Sequence, residues 1–247
     1  MRWQSTWPSK DIFHEYALDY AKKVNDMTGG DLKIEVLPAG AVVPAFGLLD
    51  AVSKGTLDGG HGVLVYHYGK QNALALWGSG PAFGMDAQHA AVLAQVRRRQ
   101  GTARQALRVD RRQRRVVPLR PACRRSRSAG SRSRSPRSDD FKGLKYRTVG
   151  ISIDLFTGMG AAVNALPGGE IVPAMDRGLL DAAEFNNATS DRAARLPGRV
   201  QGVHAAELPP ERRAVRDHVQ QDASTTRCRT RCRAIIALRG GGGVRRT

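Results

Sequence analysis

Twenty-eight arginines fall in two segments, 97–138 and 194–247, that contain no lysine and no aromatic residue. The first segment, Arg97 to Ser138, holds 16 arginines against one acid, Asp110, for a net +15. The second, Ala194 to Thr247, holds 12 arginines against four acids, for +8. The whole 247-residue chain carries +18, so everything else sums to −5. All eight lysines and all 14 aromatics lie in that remainder, and all three cysteines lie outside it. A packed core needs apolar and aromatic area that text of this kind does not offer, so ordering it would not offset the chain entropy lost. Structure is therefore expected in two blocks, 1–96 and 139–193. Segments 97–138 and 194–247 are expected to stay disordered.

Basic regions that hold nucleic acid mix lysine with arginine and place aromatics where bases can stack. Arginine, alanine, glycine, proline and serine share GC-rich codons, whereas lysine and the aromatics need A or T. The two segments thus read as GC-rich DNA translated out of frame, with the first join as early as Gln88 and a restoration of frame near Ser138. The competing reading takes "RSRSAGSRSRSPRS" as a genuine arginine–serine tail, which would make the chain a nucleic-acid- or polyanion-binding protein acting through charge. Cys228 and Cys232, with only Cys123 besides, do not form a zinc set. "GGGG" lacks the Lys-Ser/Thr of a phosphate loop. His14, His61, His67 and His89 show no catalytic or metal spacing, and no serine sits in a nucleophile elbow, so no enzyme is expected. No apolar run is long enough to span a membrane.

The first block opens with a helix. Ser9 or Asp11 caps it, Phe13, Tyr16, Ala17, Tyr20, Ala21, Val24 and Met27 recur on one face, and Gly29-Gly30 ends it. A strand at Leu32–Leu37, a helix from about Pro44 to Lys54 and a strand at Gly62–Tyr66 follow. The second block repeats the pattern. A strand runs around Leu144–Val149, a helix around Ser152–Met159 and a short strand at Ala162–Ala165. A helix in "GGEIVPAMDRG" and a strand in "LLDAAEF" complete it. Strand–helix–strand order predicts an α/β fold with parallel neighbours, whose ligands bind beyond the carboxyl ends of the strands.

Three stretches, "VLPAGAVVPAFGLLDAVSKGTLDGGHG", "KGLKYRTVG" and "NALPGGEIVPAMDRGLLDAAEFNN", resemble the solute-binding proteins of tripartite ATP-independent periplasmic (TRAP) transporters. The likeness is to the DctP type, in the branch that takes 2-oxo and related monocarboxylic acids, and covers about 1–90 and 139–193. It implies a two-lobe, type II periplasmic-binding-protein architecture, here incomplete because of the out-of-frame segments. It also implies periplasmic placement, although "MRWQSTWP" begins where a mature chain would and carries no export signal. The implied partners are a small organic acid and the membrane permease subunits of a sodium-coupled TRAP transporter, with no specific nucleic acid. A family-like peptide "LGFPDVSKVCMLQSYHQNAEQFEITFNKT", written in GC-preferring codons and read one base out of register, gives "ARLPGRVQGVHAAELPPERRAVRDHVQQD", which is Ala194 to Asp222.

A carboxylate in a closed cleft needs a permanently charged, forked donor, which arginine supplies and lysine does not. Arg147, in "LKYRTV", matches the clamping arginine of the family; a surface arginine at a strand end is the bland alternative. Glu184, with the Phe185 carbonyl, matches the position that helps hold a cation, sodium or calcium, bridging to the ligand. An ordinary capping carboxylate would look the same in sequence. Tyr66 can donate its hydroxyl to the anion, with Tyr68 competing for the role. Trp7 and Phe185 either wall the cleft or belong to the core, and Asn187, with Asn186, is a weaker ligand-binding candidate. The pocket-lining strand expected within 194–222 is replaced by proline-containing, charged text that a central strand should reject. The chain as written is therefore expected to bind organic acids poorly.

Overall fold

The computed structural model describes residues 1–70, 72, 74, 116–118, 122–125, 129–131, 138–185, 188–193, 202–204 and 212–220. Two sheets organise them. The first contains β1 (Arg2–Ser5), β2 (Glu35–Leu37) and β3 (Gly59–Val63), joined by β4 (Val116–Pro118), β5 (Ala122–Arg125) and β11 (Arg212–Gln220). β1 pairs in parallel with both β2 and β3, and β11 lies antiparallel against β3, β4 and β5. The second sheet has the order β10 (Gly202–His204), β6 (Ala129–Ser131), β9 (Ala182–Glu184), β7 (Lys145–Arg147), β8 (Ala162–Asn164). β7 is parallel to β8 and β9, as strand–helix–strand order requires.

Helix α1 (Ile12–Met27) starts at Asp11, whose carboxylate accepts the Phe13 N–H at 2.8 Å. Phe13, Ala17, Ala21 and Val24 are buried as the periodicity predicts, but Tyr16 and Met27 remain 44% and 40% exposed. Ala17, Ala21 and Val24 pack with Trp3, Leu32, Ile34 and Val36. Helix α2 (Leu48–Lys54) is entered through a 3-10 turn at Ala45–Gly47, a small correction to the expected single helix from Pro44. It ends at Gly55, whose φ of 79° is reached at little cost only without a Cβ. In the second lobe, α3 (Ser152–Gly158) and α4 (Ile171–Asp176) follow β7 and β8, and α5 (Ala188–Ala193) follows β9.

Strand β1 has no counterpart in the sequence reading. Gln4, wholly buried within it, donates to Val43 O at 2.7 Å and accepts from Val42 and Val43 N–H at 2.8 and 3.1 Å. That polar residue hides the strand's alternation. The third strand is also shifted: it spans Gly59–Val63, and a 3-10 segment, Leu64–Lys70, occupies most of the stretch expected as strand. The reason is close packing. A Cβ at Gly59 would lie 2.4 Å from Trp3 Cε2, and one at Gly60 would lie 2.8 Å from Leu48 Cδ1. Glycines that look like a turn in sequence are here the only residues thin enough for the strand.

Short parts of the arginine-rich segments fall among the described residues. Strands β4, β5 and β6 lie in 97–138, and β10 and β11 lie in 194–247. Strand pairing is made by backbone groups, and β11 begins after Pro209-Pro210, so no proline interrupts it. Arg212–Gln220 pairs in the first sheet, while Pro209 and Pro210 of the expected pocket-lining strand lie outside the described residues. The rest of the two segments lies outside the described residues, and so do the expectations placed there.

Candidate functional site

The chemistry-bearing residues collect at the carboxyl ends of the parallel strands. Arg147 is the last residue of β7, Glu184 the last of β9, and Phe185 follows it. Trp7 lies two residues past β1, Tyr66 three past β3, and Leu166 two past β8. Both sheets aim these ends at one apolar cluster, which holds Trp7, Phe13 and Tyr66 from the first lobe and Val149, Ile171 and Phe185 from the second.

Arg147 is completely buried. Its Nε and Nη2 donate to Leu166 O at 2.8 and 2.6 Å, and its Nη1 donates to Glu184 O at 2.5 Å. Nη1 also stands 3.8 Å from Glu184 Oε2, and the guanidinium carbon lies 5.8 Å from the Phe185 ring centroid. The sequence alternative of a solvated surface arginine is thus excluded. Burial of a guanidinium is costly unless its donors are met, and here two backbone carbonyls fix the plane of the fork. Thr148, also buried, has its hydroxyl 3.4 Å from Glu184 Oε2, on the same carboxylate.

Tyr66 and Tyr68 are separated by the structure. The Tyr66 ring is buried, and its hydroxyl accepts the Gly168 N–H at 3.3 Å, across from the other lobe. It packs edge-on against Phe46 and lies 6.4 Å from the Trp7 ring. Tyr68 instead meets Asp154 at the exposed edge of α3. Trp7 is wholly buried, stacked on Phe13 at 4.8 Å and 6.3 Å from Phe185. It is a core aromatic and a site neighbour at once. Its indole N–H has no acceptor among the described residues. Asn186 and Asn187 lie outside those residues.

Sequence reasoning missed the loop that ties these groups together. Leu166 supplies the carbonyl that holds Arg147, and Gly168 faces both Tyr66 and Phe185. A Cβ on Gly168 would sit 2.2 Å from Phe185 Cε2, so the ring rests directly on the backbone there. "LPGG" announces a turn, and nothing in its spacing announces an aromatic 17 residues later. Among the described residues no group of three or more His, Cys, Asp or Glu could hold a metal ion. A cation here would have to draw on Glu184, backbone carbonyls and the ligand itself. Nor is any helix among those residues long and apolar enough to cross a membrane.

Comparison with known proteins bears on the family and the fold. Residues 4–195 match the family described as DctP, bacterial extracellular solute-binding protein, family 7. A monocarboxylate 2-oxoacid-binding periplasmic protein from Nostoc sp. is 36% identical over 188 residues, which is 75% of this chain and 50% of the relative. The chain therefore spans about half the length of that curated relative. In fold it resembles a TRAP transporter solute-binding protein from Bordetella bronchiseptica, crystallised with copurified calcium and picolinate. The TM-score is 0.83 at 22% identity, over 98% of this chain and 70% of the other. A TRAP periplasmic solute-binding protein from Pseudoalteromonas atlantica with bound sodium and pyruvate gives 0.74 at 19% identity, over 98% and 72%. These likenesses bear out the two-lobe, type II α/β architecture and lend no support to a nucleic-acid-binding reading. The chain belongs to the DctP family of TRAP transporter solute-binding proteins, whose members bind substrates for transport and are not enzymes.

Proposed function

We propose that this chain captures a small organic acid in the periplasm and presents it to the membrane permease of a TRAP transporter. The observation that carries this reading is the buried Arg147 guanidinium, held in one plane by the Leu166 and Glu184 carbonyls at the meeting point of the two sheets. A fork fixed in this way meets a carboxylate without first losing rotamer freedom. The Tyr66 hydroxyl and the Trp7 indole N–H add neutral donors suited to a carboxylate or a 2-oxo oxygen. Phe185 and Trp7 close the apolar side. Asn187 remains a ligand-binding candidate from the sequence alone.

Glu184 and the Phe185 carbonyl fit a hard cation by donor chemistry, a part-buried carboxylate beside a backbone oxygen. They would hold sodium or calcium, whose charge would help to neutralise the bound acid. Arg147 already offsets part of the Glu184 charge at 3.8 Å, so the cation would be held jointly with the ligand. Capture is weaker in this chain than in its relatives, because the text at 194–222 lacks the aromatics that a frame-restored version would place there.

Isothermal titration of the full chain with pyruvate, malonate and picolinate, each with sodium and with calcium, tests the reading. A frame-restored chain runs alongside. Saturable one-to-one binding, tighter in the restored chain and dependent on Arg147, is expected. Absence of saturable binding in both chains would overturn the function. Equal affinity in both would overturn the impairment alone.

A further inference from the structure

The short 3-10 segment Leu64–Lys70 reaches the second lobe twice. Tyr66 does so from the buried side, accepting from Gly168, and Tyr68 does so from the exposed side, donating to Asp154 Oδ2. His67 lies between them at φ −109° and ψ 17°, a kink that turns the two rings to different partners. Lys70 closes the segment with an ion pair to Asp50 of α2, which anchors it to the first lobe. On the other side, Asp154 stands in the first turn of α3, seven residues beyond Arg147 and directly after the strand that carries it. The Tyr68–Asp154 bond therefore spans the gap between the segment after β3 and the helix after β7.

We propose that Tyr68 and Asp154 form a latch across the mouth of the cleft that stabilises the closed arrangement of the two lobes. The contact lies outside the apolar cluster and needs both lobes in place. Opening the cleft breaks it, and water then satisfies both groups. It therefore acts on the balance between open and closed states and leaves the ligand contacts unchanged. Apparent affinity scales with the closed fraction, so a latch tunes release without touching the ligand. The bond to the Asp154 carboxylate also pushes the Tyr68 phenol above its ordinary value, and a phenol is a protonated donor at neutral pH with or without that shift. The effect on affinity rests on the function proposed above, but the latch itself can be tested without ligand.

The test is a double-mutant cycle on the full chain with Tyr68→Phe and Asp154→Ala. The readout is hydrogen exchange of the Gly168 amide, which is bonded across the lobes to Tyr66. Each single change should speed that exchange roughly two- to fivefold, the range for an exposed charge-assisted pair, and the double variant no more than the faster single one. Unchanged exchange in Tyr68→Phe, or effects that simply add, would overturn the latch. Asp154→Ala also removes an acid from the first turn of a helix, and the cycle separates that cost from the shared bond. If the parent binds pyruvate, both variants should release it faster by a similar factor; absence of binding in the parent and in the frame-restored chain alike would sink the functional reading while the exchange result still decides the latch.

Discussion

Replacing Arg147 by lysine keeps the positive charge and removes the fork, and its cost has two parts. In the free protein the guanidinium serves Leu166 O through two nitrogens and Glu184 O through a third. A single ammonium placed at one carbonyl leaves the other unserved. An unsatisfied buried acceptor costs about 1–3 kcal/mol, and because these carbonyls are only part-buried the lower half of that range, about 1–2 kcal/mol, applies. For a chain of this size that is a fall in Tm of roughly 2–8 °C. The second part is seen only with ligand: loss of a charge-assisted, two-point contact should weaken carboxylate binding by about 1.5–3 kcal/mol. Urea denaturation followed by tryptophan fluorescence measures the first part, and calorimetry with pyruvate on the frame-restored chain measures the second. Unchanged stability would show that the carbonyls do not depend on the fork. Unchanged affinity would show that Arg147 is a structural group and not the clamp.

Two other predictions follow from packing and protonation. Gly59→Ala should destabilise the chain by about 1–3 kcal/mol, because the new methyl would press into the buried Trp3 ring; an unchanged urea midpoint would refute the close approach. Burial, with the Lys70 ammonium nearby, holds the His67 imidazole down at about 4 from its ordinary 6.5. Below 6.5 the unfolded chain takes up a proton that the folded chain refuses, so stability should fall as pH drops from 6.5 towards 4, by up to about 3 kcal/mol. His67→Gln should remove that part of the slope, and parallel pH curves for parent and variant would show that His67 is not its source.

Much of the architecture was legible in the sequence because it is written in local periods. The α1 face, the parallel order around β7 and the placement of Glu184 at a strand end follow from spacings of two, three and four residues, and from three family-like stretches; the sequence puts Arg147 inside a longer strand, Leu144–Val149, whereas it closes a shorter one, Lys145–Arg147. The charge segregation was equally plain, yet it did not decide whether those segments pair. Strand β11 pairs with β3 through backbone N–H and C=O groups, which every non-proline residue carries. Other features could be decided only by the tertiary structure, since they depend on residues far apart in the chain. Gln4 is buried because the Val42–Val43 backbone, nearly forty residues on, satisfies its amide. Gly59 and Gly60 form strand and not turn because Trp3 and Leu48 occupy the space where their side chains would be. Tyr66 and Tyr68, ambiguous in sequence, are told apart by what stands opposite each: a backbone amide at Gly168 and a carboxylate at Asp154. Arg147 could be named from its motif, but its rigidity comes from carbonyls 19 and 37 residues away. Spacing along the chain sets which groups a strand can offer; only the packing of two sheets against one another sets which of them meet.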